Sequence, residues 1–267
     1  MNILNTRPIG MFDSGVGGLS VLRAFRELLP GEDILYFADT LHVPYGEKTA
    51  EEIAGYGRQI AEYFKEQEVK LLIIACNTAT VFSLDAVKEV MREVPVLGII
   101  GAGSRALAEG SGGERVGVLA TTATIRSSAY PEAIKTLDES IDVVSLAAQR
   151  FVTLVEAGDT DSQKAREIVR EDLLDFAENP PSKLLLGCTH FPGLAHLIQE
   201  VLPGVTLIDP AKALAEEARE LLKRENLLRN KGGGSVTYFV SGDPASFSRS
   251  GSILLGQPIE EVFKLIL

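Results

Sequence analysis

The chain has 267 residues, 45% of them apolar and 24% charged, the balance of a packed globular protein of one large or two ordinary domains. A formal charge of -11 disfavours a protein that neutralises nucleic-acid phosphates with Lys and Arg, although a ring of backbone N–H groups and hydroxyls can still hold a small anion. The apolar runs fall far short of the roughly 20 residues that cross a bilayer, Met1 to Asn5 hold no basic region followed by an apolar one, and two cysteines are too few for a disulfide scaffold or a Cys-rich zinc site, so the expectation is a cytoplasmic protein with reduced thiols.

Taken in chain order, short runs rich in Val, Ile and Leu predict strands over 9–12, 34–38, 71–75, 96–99, 116–119, 143–146, 184–186, 205–208 and 236–240. Amphipathic segments lie between them. One helix runs from Leu19 with Leu22, Phe25 and Leu29 on a stripe, another carries Ile53, Ile60 and Phe64, and a third carries Ile168, Leu173 and Phe176. Asp209-Pro210 and Asp243-Pro244 have the form of an N-cap followed by an N1 proline, and Gly232-Gly233-Gly234 reads as a flexible turn. The alternation predicts β-α-β units and mostly parallel sheets covered on both faces.

The sequence also echoes itself. Lys70-Leu71-Leu72-Ile73-Ile74-Ala75-Cys76-Asn77-Thr78 is matched by Lys183-Leu184-Leu185-Leu186-Gly187-Cys188-Thr189-His190. Upstream, the strand ending at Asp13-Ser14 is matched more weakly by the one ending at Ala120-Thr121, with separations of 63 (76 - 13) and 67 (188 - 121) residues. This predicts two similar α/β halves, each with a Cys at the carboxyl end of an equivalent strand, the edge at which open α/β sheets bind ligands.

A Cys at a strand-to-helix turn is expected to have a lowered pKa from the nearby helix N-terminus, and Asn77-Thr78 and Thr189-His190 can cap the helices that follow or point polar atoms at a ligand. Two activated thiols facing one another suit removal of a proton from one face of a tetrahedral carbon and delivery to the other, which inverts the centre. Asp13 and His190 are the candidates to adjust protonation as the proton crosses. Asp13 opens the glycine-rich turn Asp13-Ser14-Gly15-Val16-Gly17-Gly18, whose backbone can approach an anion; it matches neither the dinucleotide fingerprint nor the P-loop. No cluster of His, Cys and acidic residues stands at metal-ligand spacing, so neither metal nor cofactor is expected.

Asp13 to Ser20, Pro44-Tyr45-Gly46, Ala75 to Ala79 and Gly187 to Pro192 together resemble the signature segments of glutamate racemases in the aspartate/glutamate racemase superfamily. The resemblance implies a cofactor-independent enzyme of two pseudosymmetric α/β domains, the active site between them, making D-glutamate for peptidoglycan as a homodimer. Carried over by motif, Cys76 acts on the α-proton of D-glutamate with Asp13 assisting, and Cys188 on that of L-glutamate with His190 assisting. Substrate is held by Asp13 and Ser14, Tyr45 and Gly46, Asn77 and Thr78, Thr189 and His190, with Thr121 and Thr124 receiving the side-chain carboxylate. Glu156 matches an acidic position near the second cysteine, but just before it Ala148-Gln149 replaces the Cys-Pro of many members. The long N-terminal extension linked in the family to activation by a cell-wall precursor has no counterpart here, so that regulation is not expected.

The domains are drawn at 1–98 with 209–267, carrying Cys76, and at 99–208, carrying Cys188. Two other readings stay open: a racemase of aspartate, hydantoin or another small acid on the same scaffold, and a non-catalytic anion-binding module with both cysteines merely buried.

Overall fold

The computed structural model describes residues 6–229 and 232–267. Ten strands are found among them: β1 (Ile9–Asp13), β2 (Ile34–Ala38), β3 (Leu71–Ile74), β4 (Val96–Gly98), β5 (Arg115–Ala120), β6 (Asp142–Ala147), β7 (Lys183–Gly187), β8 (Thr206–Ile208), β9 (Val236–Val240) and β10 (Val262–Lys264). They form two sheets, ordered β10-β9-β2-β1-β3-β4 and β6-β5-β7-β8, with every neighbouring pair parallel. Helices lie between successive strands, so central strands are covered on both faces. That is why β1 and β3 are buried at every position and read as unbroken apolar runs rather than alternating ones.

Without the edge pair β9 and β10, the first sheet has the order β2-β1-β3-β4, and the second repeats it as β6-β5-β7-β8. The sequence echo is therefore an echo of topology, with β1 equivalent to β5 and β3 to β7. The registers agree, since Gly10 lies opposite Leu72, four residues before Cys76, and Gly117 opposite Leu184, four before Cys188. In each half the chain leaves the first strand toward one side and returns on the other, making a switch point at the carboxyl ends of β1 and β3 and of β5 and β7. Asp13 and Cys76 stand at the first of these points, Thr121 and Cys188 at the second.

The helix Ile99–Ala108 carries the chain from the first sheet to the second, and Pro210–Arg224 carries it back, the two packing on each other. Asp209 and Asp243 cap their helices as expected, accepting from the N–H of Ala211 and of Ala245 and Ser246. The helix Ala50–Glu66 starts at a reciprocal Thr49–Glu52 capping box and buries Ile53, Ile60 and Phe64.

Three local expectations need correction, and one strand was not expected. The third helix divides at Leu173 into Gln163–Asp172 and Leu174–Glu178. β4 stops at Gly98, whose extended backbone starts a helix at Ile99. Gly232-Gly233-Gly234 is no loose turn: the Gly234 N–H donates to Pro30 O at 2.8 Å, and a Cβ there would lie 2.0 Å from the Glu32 carbonyl oxygen. β10, a short and partly exposed edge strand, leaves no pattern long enough to read.

Candidate functional site

Cys76 caps the helix Asn77–Met91: its Sγ accepts from the Ala79 N–H at 3.4 Å, and the thiol donates to Ser14 Oγ at 3.7 Å. Asn77 and Thr78 lie in the first helical turn, so capping falls to the cysteine rather than to them. Nor is the thiol activated as expected. Burial pushes its pKa up, the Asp13 carboxylate and nearby Cys188 push it further, and the Ala79 N–H and Ser14 hydroxyl offset only part of the rise. Desolvation of the thiolate outweighs one helix N-terminus, and Cys76 rests as a thiol.

Cys188 has different company. No regular helix begins beside it; a 3-10 turn at Phe191–Leu194 intervenes before the helix Ala195–Val201. Its Sγ lies 3.6 Å from His190 Nδ1, and His190 Nε2 lies 2.6 Å from Glu156 Oε1. Burial alone would lower the His190 pKa, but the bonds to Cys188 and Glu156 win and raise it well above the ordinary imidazole value. Glu156 is held below the usual carboxylate range, because His190 and the Val16 N–H overcome its burial. The thiol, the ring and the carboxylate thus form a row, each within reach of the next.

The two rows meet across the halves. Asp13 is fully buried, accepting from the Gly15 N–H at 3.0 Å and from Thr189 Oγ1 at 3.1 Å. Burial raises its pKa, and the facing His190 tempers the rise. Asn77 also crosses. The orientation that satisfies its amide donates to the Tyr130 hydroxyl (2.5 Å) and Gly187 O (3.3 Å) and accepts from the Thr189 N–H (3.3 Å). Ser20 Oγ reaches Thr189 O at 3.0 Å.

The glycine-rich turn is not an open anion cradle. A Cβ at Gly15 would lie 2.0 Å from Glu156 Oε1, and one at Gly17 would lie 2.6 Å from both His190 Nδ1 and Thr189 Oγ1. These glycines let the second half bring its imidazole and carboxylate against the first. The Val16 N–H is already taken by Glu156.

Three hydroxyls form a triangle at the junction. Thr78 Oγ1 lies 3.0 Å from Thr121 Oγ1 and 3.1 Å from Thr124 Oγ1, and Thr121 lies 3.0 Å from Thr124. Thr121 also caps the helix Thr122–Arg126. Donors engaged only with one another can be turned toward an anion. Tyr45 and Gly46 reach the junction on a 3-10 turn, but the Tyr45 hydroxyl is spent on Asp39 at 2.6 Å, so this turn offers backbone rather than the phenol. All the sequence-predicted site residues are thereby gathered in one place.

Residues missed by sequence reasoning support that place from behind. Asp39, at the end of β2, binds Tyr45, Ser241 (2.8 Å) and His42 (2.9 Å), and Tyr36 donates to Gly15 O at 3.0 Å. Asp39-Thr40 repeats the form of Asp13-Ser14 at the end of the neighbouring strand, the one signal that could have revealed it. Gln149 was noticed only as a departure. Among the described residues no group of three or more His, Cys, Asp or Glu is arranged to hold a metal ion, and no helix is long and apolar enough to cross a membrane.

Comparison with known proteins agrees with this geometry. A family model described as Asp/Glu/hydantoin racemase matches residues 9–218. A glutamate racemase of Thermoanaerobacter pseudethanolicus is 39% identical over 260 residues, 97% of each chain. One of Geobacter metallireducens is 41% identical over 263 residues, 98% of this chain and 97% of its own. The structure of Francisella tularensis glutamate racemase in complex with D-glutamate superposes with a TM-score of 0.91 at 34% identity, covering 98% of both chains.

Proposed function

This chain belongs to the Asp/Glu/hydantoin racemase family, and we propose that it is a glutamate racemase moving the α-proton between two thiols, Cys76 and Cys188. The observation that carries the reading is the pair itself: both cysteines of the chain stand past equivalent strands, at one junction, beside different acid-base groups. Relatives named glutamate racemase and a neighbour holding D-glutamate support the choice of substrate.

In the L-to-D direction the Cys188 thiolate takes the α-proton of L-glutamate, and Cys76 delivers its proton to the opposite face. Burial and Asp13 keep that proton on Cys76 in the resting protein, so Cys76 is ready to deliver it. The His190–Glu156 pair sets a positive ring beside Cys188, where a thiolate must be tolerated. In the reverse direction the Cys76 thiolate removes the proton of D-glutamate, and Asp13, already disposed to hold a proton by burial, is the group that answers it. The triangle Thr78, Thr121 and Thr124 receives the side-chain carboxylate. Ser14, the Tyr45–Gly46 turn, Asn77 and Thr189 line the rest.

The thiols suffice for this chemistry, so neither a metal nor pyridoxal phosphate is required. The protein works in the cytoplasm as a homodimer, supplying D-glutamate for peptidoglycan, with domains divided at 98/99 and 208/209. Circular dichroism of purified protein with D-glutamate, without added cofactor and after dialysis against a chelator, should show the signal decay to zero. Persistent signal with D-glutamate and decay with D-aspartate would transfer the reading to the small-acid alternative. Persistence with both, with ligand binding untouched by thiol alkylation, would favour the non-catalytic one.

A further inference from the structure

The groups that would meet substrate are shut in: Cys76 and Cys188 are each 5% exposed, and Asp13, Asn77, Thr124 and His190 are 2% exposed or less. A ligand cannot reach them without a parting of the halves. The place where the halves touch at the rim is therefore of interest, and there Gly46 meets Gln149, both only half-buried. A Cβ on Gly46 would lie 2.4 Å from Gln149 Oε1 and 3.0 Å from its Cδ and Nε2, so the amide is seated flat against the glycine backbone. The same Oε1 accepts from the Thr122 N–H at 3.3 Å, in the residue next to Thr121 of the hydroxyl triangle.

Gln149 is the first residue of the helix Gln149–Glu156, and Glu156 is the last. Eight residues span roughly 10 Å. One short helix of the second half thus touches the first half at both ends, Gln149 on Gly46 at the rim and Glu156 on the Val16 N–H beside His190. A displacement that frees the rim contact draws on the helix that also holds the His190 ring.

We infer that Gln149 and Gly46 form the gate of the site, with Gln149 a positioning residue anchored through Thr122 that keeps the cleft shut while the proton crosses. Its identity is not dictated by chemistry at the thiols, from which it is separated by the hydroxyl triangle's neighbour Thr122. The use of the gate by glutamate rests on the racemase reading; its existence does not.

The test is the rate at which iodoacetamide alkylates Cys76 and Cys188 in the ligand-free protein, followed by mass spectrometry. Gln149→Ala removes the amide seated on Gly46 across the cleft, and the Thr122 bond that holds it there; the packing lost between the halves makes openings about fivefold more frequent, so both thiols should react faster by that factor. Gly46→Ala forces the same contact apart and should act in the same direction, while the double variant should add little to Gln149→Ala, because the two changes break one contact. Arg150→Ala, on the same helix but paired outward with Glu171 and Asp172, should leave the rates unchanged. With thermal melting unaltered, wild-type alkylation rates in Gln149→Ala would overturn the gate, as would equal acceleration by Arg150→Ala. Racemisation with unchanged alkylation condemns the gate alone; accelerated alkylation in a protein that does not racemise condemns the racemase reading alone.

Discussion

The two thiols occupy equivalent stations in repeated topologies, yet their surroundings are not repeats of one another. Cys76 has a helix N-terminus, a serine hydroxyl and a buried carboxylate; Cys188 has an imidazole backed by a second carboxylate. The difference teaches that a duplicated scaffold fixes where a group stands while its neighbours fix what charge it can hold. Burial with Asp13 favours the neutral thiol at Cys76, whereas Cys188 lies against an imidazole that its partners hold in the protonated form. In the proposed two-thiol reaction, this asymmetry assigns the two thiols different partners.

The harshest way to break the comparison is to remove either thiol. Cys76→Ala and Cys188→Ala should each lower racemisation by at least about four orders of magnitude, because one thiol cannot serve both faces. Melting temperatures should barely move. Two-way racemisation by either variant would show that the thiols are not a pair.

Next come the flanking groups. Asp13→Asn should reduce kcat from D-glutamate more than from L-glutamate, and His190→Asn the reverse, each by on the order of 100-fold in the affected direction. The enantiomers have equal free energy in water, so kcat/KM must stay equal in both directions and KM must shift to compensate. Equal losses both ways would leave Asp13 and His190 as mere positioners.

Glu156→Gln sharpens the comparison on the Cys188 side, with an expected loss of about tenfold in kcat, the scale on which outer partners of a reactive group act. Without the carboxylate, one of the two partners that raise His190 is lost while its burial stays, so its titration, followed by NMR among only three histidines, should fall. The sign for stability follows from the same shifts. The depressed Glu156 stabilises above its unfolded value of 4.5 and loses this as pH drops, while the raised His190 stabilises below its unfolded value of 6.5 and loses this as pH climbs. The melting difference between wild type and Glu156→Gln should therefore peak between pH 4.5 and 6.5. A flat difference across pH would dissolve the pair. The smallest effect is expected from Thr78→Val, a rise in KM of roughly tenfold with little change in kcat, as one donor to a carboxylate is lost.

Much of this was legible in the sequence, for identifiable reasons. Strands buried on both faces must be apolar runs, so β1, β3, β5 and β7 declared themselves, and with them the positions of Asp13, Cys76, Thr121 and Cys188. The thiol pair could be singled out because the chain has only two cysteines and the echo places both. What stayed hidden depends on contacts between the halves. The glycines at 15 and 17 read as room for an anion, and only the packed halves reveal Glu156 and His190 filling that room. The direction of the Cys76 shift could not be read either, since a helix start is visible in sequence and the extent of desolvation is not. Asp39 is held in part by Ser241 and Gln149 packs on Gly46, partners too distant in the chain for a local pattern to reveal.

The most direct measurement is the racemisation of L-glutamate in deuterated water, with the α-position of both enantiomers followed at early times. If Cys188 removes the proton and Cys76 supplies its replacement, D-glutamate should form fully deuterated at Cα while the remaining L-glutamate keeps its hydrogen. Deuterium entering L-glutamate as fast as it enters D-glutamate would mean that a single base works both faces, and the two-thiol mechanism would be wrong.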